Sequence, residues 1–305
     1  MDNETAVWYT SLCAFAALNF VLTLREYKNQ KWSTSDVLDY GYQSKMFYLC
    51  IPFVFECAYR SVLPRIDIPR MCFFDVWPNM VLFGRLTAFV GEWCWMLQIS
   101  LALQKILGEL DVVTEKKGCC TSFVAAKRVA SLLPFICLLA ECFGTTGPVT
   151  TNNLWCIFEA CTWTTMFTIT TLCALVIRRG LKEIGGSNKS VSRFNNVLIL
   201  TGLVYVPYMI LSNIPLYVQR YREDQENDVQ YLPFSDGLPD IAKCHDASTK
   251  WEDWKEDAFW MVGYYGPAVW TSIWLMNAPS ILRDGVKRSD DDDEIKGNSF
   301  VVTLL

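Results

Sequence analysis

Seven apolar stretches, at roughly 5–24, 46–63, 80–106, 123–143, 153–177, 195–218 and 258–282, are each long enough to cross a bilayer. A spanning helix takes about 20 mostly apolar residues, because in a hydrocarbon core about 30 Å thick the backbone must satisfy its own hydrogen bonds. The chain is therefore predicted to be all-α: a seven-transmembrane helix bundle over residues 1–282, followed by a cytoplasmic tail, 283–305. Its 305 residues leave no room for a separate globular domain. This implies an integral protein of the plasma membrane or an endomembrane, with the lipid bilayer as its surroundings and no nucleic acid among its partners.

Only 19% of residues are charged and 52% are hydrophobic, while 12 Trp, 13 Tyr and 18 Phe crowd the ends of the spans. Trp8, Tyr9, Trp77, Trp155, Trp251, Trp254 and Trp260 fall near one interface and read as an anchoring girdle.

Orientation follows from Lys and Arg in the short loops, which are retained on the cytoplasmic side. Arg25, Lys28, Lys31 and Lys45 lie in the first connection. Lys105, Lys116, Lys117, Lys127 and Arg128 lie in the third, and Arg178, Arg179, Lys182, Lys189 and Arg193 in the fifth. The fourth connection, 144–153, has no positive charge, and the sixth, 219–257, is predominantly acidic. The amino terminus is placed outside and the carboxyl terminus inside. Residues 1–6 are acidic and no A-x-A-like site follows, so the first span is expected to act as a signal-anchor.

Most of the 13 cysteines lie inside spans and act as small apolar residues. Cys72, Cys142 and Cys244 fall toward the oxidising face, where a Cys72–Cys244 bridge is possible. Cys119 and Cys120, beside Lys116 and Lys117, are candidates for palmitoylation or plain thiols. Asn3-Glu-Thr and Asn188-Lys-Ser match the glycosylation sequon, and the topology leaves only Asn3 outside.

Ionisable groups inside spans are costly, which makes each one a functional candidate. Glu56 and Glu159 fall roughly 11 Å below the outer interface at a helical rise of about 1.5 Å per residue, and Glu92 lies deeper. Glu141 sits close to the outer surface. Arg60 is one turn above Glu56 and Arg85 two turns above Glu92, giving two expected acid–base couples. Asn213 and Pro215 in span six, and Tyr264, Tyr265 and Pro267 in span seven, lie at similar depth, and Pro207 is a kink candidate. One reading is a charge network that only fastens helices together. The other is a polar ligand site of Glu56, Arg60, Arg85, Glu92, Glu159, Asn213 and Tyr264, with no metal and no cofactor.

The block Arg60-Ser-Val-Leu-Pro-Arg65-Ile-Asp67-Ile-Pro-Arg70-Met-Cys72, followed by Gly84-Arg85 and Glu92, resembles one in uncharacterised seven-span membrane proteins of bacteria and unicellular algae. Thr150-Thr-Asn-Asn153 with Glu159 shares that resemblance, which implies no known activity. Arg60, Arg65 and Arg70 are expected to pair with Asp67, Asp75 or an anionic head group, the first as a clasp that closes the loop.

Several seven-span mechanisms are excluded. No span has the interior Lys of a retinal Schiff base. Span three ends Leu101-Ala-Leu-Gln-Lys105, without the acidic-Arg-aromatic triplet of G-protein-coupled receptors, and Asn277-Ala-Pro279 only loosely echoes their Asn-Pro signature. His245, the single histidine, lies in the outer loop, which excludes paired haem ligands and the seven-span zinc hydrolases in their usual forms. The sixth connection reads as a lid or a surface connector, with Trp251 and Trp254 toward the membrane. Asp290 to Glu294 is an acid run, and Thr303-Leu-Leu305 fits a PDZ-type partner. Transport or sensing of a small ligand, lipid or cation is the expected role. A membrane enzyme with Glu92 as general base on a lipid-like substrate, and a structural scaffold, are the alternatives.

Overall fold

A computed structural model describes residues 1–29, 37–116, 123–185, 189–276 and 281. Lys31, Lys117, Cys119, Cys120, Asn188, the 277–279 triplet, the acid run and the PDZ-type terminus lie outside the described residues. The protein is predominantly helical, and five helices are long and apolar enough to cross a membrane: Asn3–Lys28, Val81–Glu115, Val124–Thr150, Asn153–Glu183 and Lys189–Glu226. The second and seventh sequence stretches are helical as well but are not among these five. The second carries the charged pair Glu56 and Arg60 in its C-terminal half, and the seventh runs past the last continuously described residue, Met276.

The elements are α1 (Asn3–Asn29), α2 (Val37–Val62), α3 (Val81–Lys116), α4 (Val124–Ala130), α5 (Leu133–Thr150), α6 (Asn153–Glu183), α7 (Lys189–Tyr208), α8 (Ile214–Glu226), α9 (Phe234–Asp240), α10 (Trp251–Gly263) and α11 (Val269–Leu275). α3 lies at the centre, packed on α2, α5, α6 and α11. Gln98 ties three of these together: its amide donates to Met46 O of α2 at 2.7 Å, and its carbonyl accepts from Ser272 Oγ of α11 at 2.5 Å. Such a bond inside an apolar bundle satisfies a group that hydrocarbon cannot. In α6 the hydroxyls of Thr162, Thr164, Thr165, Thr168, Thr170 and Thr171 each donate to the carbonyl four residues earlier. This back-bonding lets a threonine-rich segment stay apolar enough to span.

Two helices are interrupted by π-helical turns. Met209–Asn213 joins α7 to α8, and Tyr264–Ala268 joins α10 to α11. Pro207, Pro215 and Pro267 sit at or beside them, and each lacks the N–H that an α-helix would use. Pro207, the kink candidate, lies two residues before the first of these turns.

The loop after α2 and the loop before α10 form a small three-stranded patch that hydropathy does not reveal. β1 (Arg65–Ile66) pairs antiparallel with β2 (Met71–Cys72), which pairs parallel with β3 (Asp246–Ala247). Cys72 and Cys244 are disulfide-bonded, with Cα atoms 6.0 Å apart. The sixth connection is thus stapled over the second.

One expectation for these loops changes. Trp254 does not face the membrane: it is fully buried, 5.2 Å from the Trp8 ring, and donates to Ser248 O at 3.0 Å. Because α10 packs on α1, Trp8, Phe73 and Trp254 form an internal aromatic cluster, while Trp77 stays exposed. His245 is exposed on the loop before α10, its Nε2 3.1 Å from the Asp240 carboxylate.

Candidate functional site

Three arginines and five carboxyl groups meet where α2, α3, α5, α6 and the β1 loop converge. Arg60 Nη1 of α2 lies 3.3 Å from Glu56 and 3.8 Å from Glu92, and its Nη2 is 4.0 Å from Asp67. The guanidinium also lies over the rings of Tyr265 at 5.3 Å and Trp260 at 6.0 Å. Arg85 of α3 turns the other way, with Asp67 at 3.3 Å, Glu141 of α5 at 3.5 Å and Glu159 of α6 at 3.0 Å. Arg65 is completely buried, 3.5 Å from Asp67 and with the Tyr59 ring 5.4 Å beneath it.

Asp67 is the hub on the loop side. Burial alone would push its carboxyl up, but Arg85, Arg60 and Arg65 outweigh this and hold it below the usual carboxylate range. Arg65 moves the opposite way: burial lowers its guanidinium, and Asp67 compensates only in part.

Two glycines make room for these bulky cations. A Cβ on Gly84 would collide with the guanidinium of Arg65, and one on Gly144 would collide with both Arg85 and Glu159. Glycine at both places is thus required by the close approach of a charged side chain to a helix backbone.

Glu92 accepts a 2.7 Å hydrogen bond from Tyr264 of the second π turn through Oε1. Its Oε2 is buried and has no hydrogen-bond partner, and its carboxyl stands within hydrogen-bonding reach of Glu141.

A cavity of about 610 Å³ opens against this cluster. Arg60, Asp67, Arg85, Glu92 and Glu159 form its polar end, and Trp95, Trp163, Phe167, Tyr205 and Trp260 its aromatic walls. Asn213 and Tyr264 also line it, so six of the seven residues singled out from sequence share one space. Glu56 does not: it is fully buried behind Arg60 and bonds to Cys57 Sγ at 3.1 Å. The expected Arg85–Glu92 couple is likewise replaced. Two turns of helix separate these residues along α3, so each finds nearer partners, Arg85 toward the loop and Glu92 toward Tyr264 and Arg60.

Glu141 and Asp67 were not in the expected site. Glu141, placed near the outer surface by its sequence position, is completely buried against Arg85. The signal for it was charge balance, because two intramembrane arginines need more than the nearest acids on their own helices. The loop clasp is present in altered form. Arg65 pairs with Asp67, whereas Arg70 pairs with Asp240 and donates to the carbonyls of Pro148 and Val149, which leaves Asp75 exposed. Arg70 thereby satisfies carbonyls near the end of α5.

The chain matches no protein-family model, no curated protein and no solved structure. Its chemistry has to be read from its own side chains. The site offers carboxyl and guanidinium groups side by side at one end of an aromatic chamber, with a buried acceptor, Glu92 Oε2, and the buried donors of Arg65 both unpartnered. It offers no hydroxyl or thiol nucleophile paired with a histidine, the single histidine being on the outer loop.

Proposed function

We propose that this is a seven-span membrane protein, amino terminus outside, that binds a small ligand within the outer half of the bundle and serves in transport or sensing. The observation that carries this reading is Glu92. It is a carboxylate in an apolar bundle, with one oxygen held by Tyr264 and the other without a partner, on the wall of a cavity of about 610 Å³. Charges that served only to fasten helices would be packed against by side chains, and a chamber of ligand size beside them has no structural purpose. The π turns of spans six and seven both contribute to the chamber, through Asn213 and Tyr264. Such turns recur at functional sites, because their loosened backbone lets a helix bend. That mobility is what transport or sensing requires.

The test combines topology with access. An epitope at residue 2 is expected to be reachable on intact cells, and one at residue 305 only after permeabilisation. With exposed Cys142 and Cys161 replaced by serine, Asn213→Cys is expected to react with a membrane-impermeant thiol reagent added outside, and Thr201→Cys with a small permeant maleimide. Both termini on one side, or inert cysteines at both cavity positions, would overturn the reading.

A further inference from the structure

Three guanidinium groups, Arg60, Arg65 and Arg85, face five carboxyl groups, Glu56, Asp67, Glu92, Glu141 and Glu159. The cluster therefore carries more acids than its own cations can match. The surplus is localised. Glu92 and Glu141 stand within hydrogen-bonding reach of each other, so one proton serves both, and of the two only Glu92 lines the cavity, with its Oε2 buried and unpartnered. Glu92 is only 5% exposed, yet it lines the cavity. A buried acceptor without a donor costs roughly 1–3 kcal/mol, more when it is charged.

Of the three arginines only Arg65 has a whole guanidinium without hydrogen-bond partners, and it is completely buried 3.5 Å from Asp67. Both terminal nitrogens of Arg60 and of Arg85 already face carboxylates, so an anionic ligand would have to displace an acid and add to the negative excess. Beyond Glu92 the chamber is bounded by Trp95, Trp163, Phe167 and Tyr205, with the Phe167 and Tyr205 rings 4.2 Å apart. Such rings favour an ammonium and an apolar body, and they offer no oxygen shell for a bare metal ion.

The chamber also has a side opening. Leu200, Val204 and Phe259 line it while being 60%, 64% and 76% exposed on the outside of the bundle. Spans six and seven meet above this level through Arg220 and Asp257, at 2.9 Å, and below it through the stacked rings of Phe194 and Trp274, at 5.0 Å. Between the two closures the chamber reaches the outer face of the bundle beside the Tyr208 and Phe259 rings, 5.9 Å apart.

Building on the proposed binding role, we infer that the ligand is an organic ammonium with an apolar body. Its positive head docks on Glu92, whose Oε2 lacks a donor, its body lies among Trp95, Trp163 and Phe167, and it passes between spans six and seven. The same chemistry is carried by a soluble arylalkylamine and by a long-chain lipid amine.

The test measures thermal shift and equilibrium binding of purified protein with phenylbutylamine, phenylbutanol and phenylbutyrate, and with sphingosine in mixed micelles. An amine is expected to bind and stabilise while the neutral and anionic isosteres do not. Stabilisation by phenylbutylamine assigns an aqueous source, and stabilisation by sphingosine alone a bilayer source. Glu92→Gln is expected to weaken amine binding by roughly ten- to a hundredfold. Should Glu92→Gln fail to fold, Gly263→Phe serves instead, because that position lines the cavity and a Cβ there meets nothing within 4 Å. Filling the chamber from Gly263 is expected to abolish amine binding with the charge cluster intact. Binding of phenylbutyrate or phenylbutanol in preference to the amine overturns the ligand class and leaves the cavity reading standing. Binding by none of the four probes overturns the inference, and the cysteine-access results then decide separately whether the cavity reading survives. Amine affinity unchanged by Gly263→Phe also overturns it.

Discussion

Tyr264 donates a 2.7 Å hydrogen bond to Glu92 across 172 positions of sequence, joining the π turn before α11 to the first third of α3. The bond ties two residues that both line the chamber and occupies one carboxylate oxygen. It leaves the other oxygen as the open acceptor of the site.

Gly144→Ala and Gly84→Ala are expected to lower stability by about 1–3 kcal/mol each, the usual cost of forcing a methyl into a filled interior. The added carbon strikes Arg85 and Glu159 in the first case and Arg65 in the second. Gly41→Ala in α2, where a Cβ meets nothing within 4 Å, is the control and should gain about 0.5–1 kcal/mol from helix propensity. Thermal melts of the three detergent-solubilised variants check this, and equal losses at Gly41 and Gly144 would remove the steric argument.

Arg60 serves Glu56 and Glu92 together, at 3.3 and 3.8 Å. Arg60→Met should therefore cost more than Glu56→Gln, because it strips two carboxylates of their cation. A broken buried pair commonly costs about 3–5 kcal/mol, while removing both partners recovers part of that loss. A double-mutant cycle with additive losses would show that the pair does not interact in the folded protein.

Trp254→Ala is expected to destabilise by about 3–5 kcal/mol, as for other fully buried aromatics. A tryptophan facing lipid at an interface would give a much smaller loss. Trp77→Ala, at a site 70% exposed, supplies the comparison, and similar melts for the two variants would contradict the internal cluster.

Non-reducing peptide mapping should recover one linked peptide that contains Cys72 and Cys244. Cys244→Ser is expected to cost about 2–4 kcal/mol. It should also open the loop between α8 and α10 to protease, because that bond and the β2–β3 pairing hold the loop down. A loop equally resistant after substitution would show that the strand pairing alone suffices.

The helices, and the residues that had to be special within them, were legible in the sequence because both are local properties. Length and apolarity decide whether a segment can satisfy its backbone in hydrocarbon, and an acid or arginine inside such a segment is conspicuous wherever the helix packs. Pro207 and Pro267 announced backbone interruptions for the same local reason. Which charge meets which was not legible, because it depends on how each helix is rotated and how high it docks. The sequence suggested Arg85 for Glu92 from helical spacing alone. The fold gave Arg85 to Asp67, Glu141 and Glu159, and gave Glu92 to Tyr264 and Arg60. Only the tertiary structure could bury Glu141 and Trp254 and set Glu56 behind Arg60. Those outcomes are set by neighbours that packing brings together from distant parts of the chain.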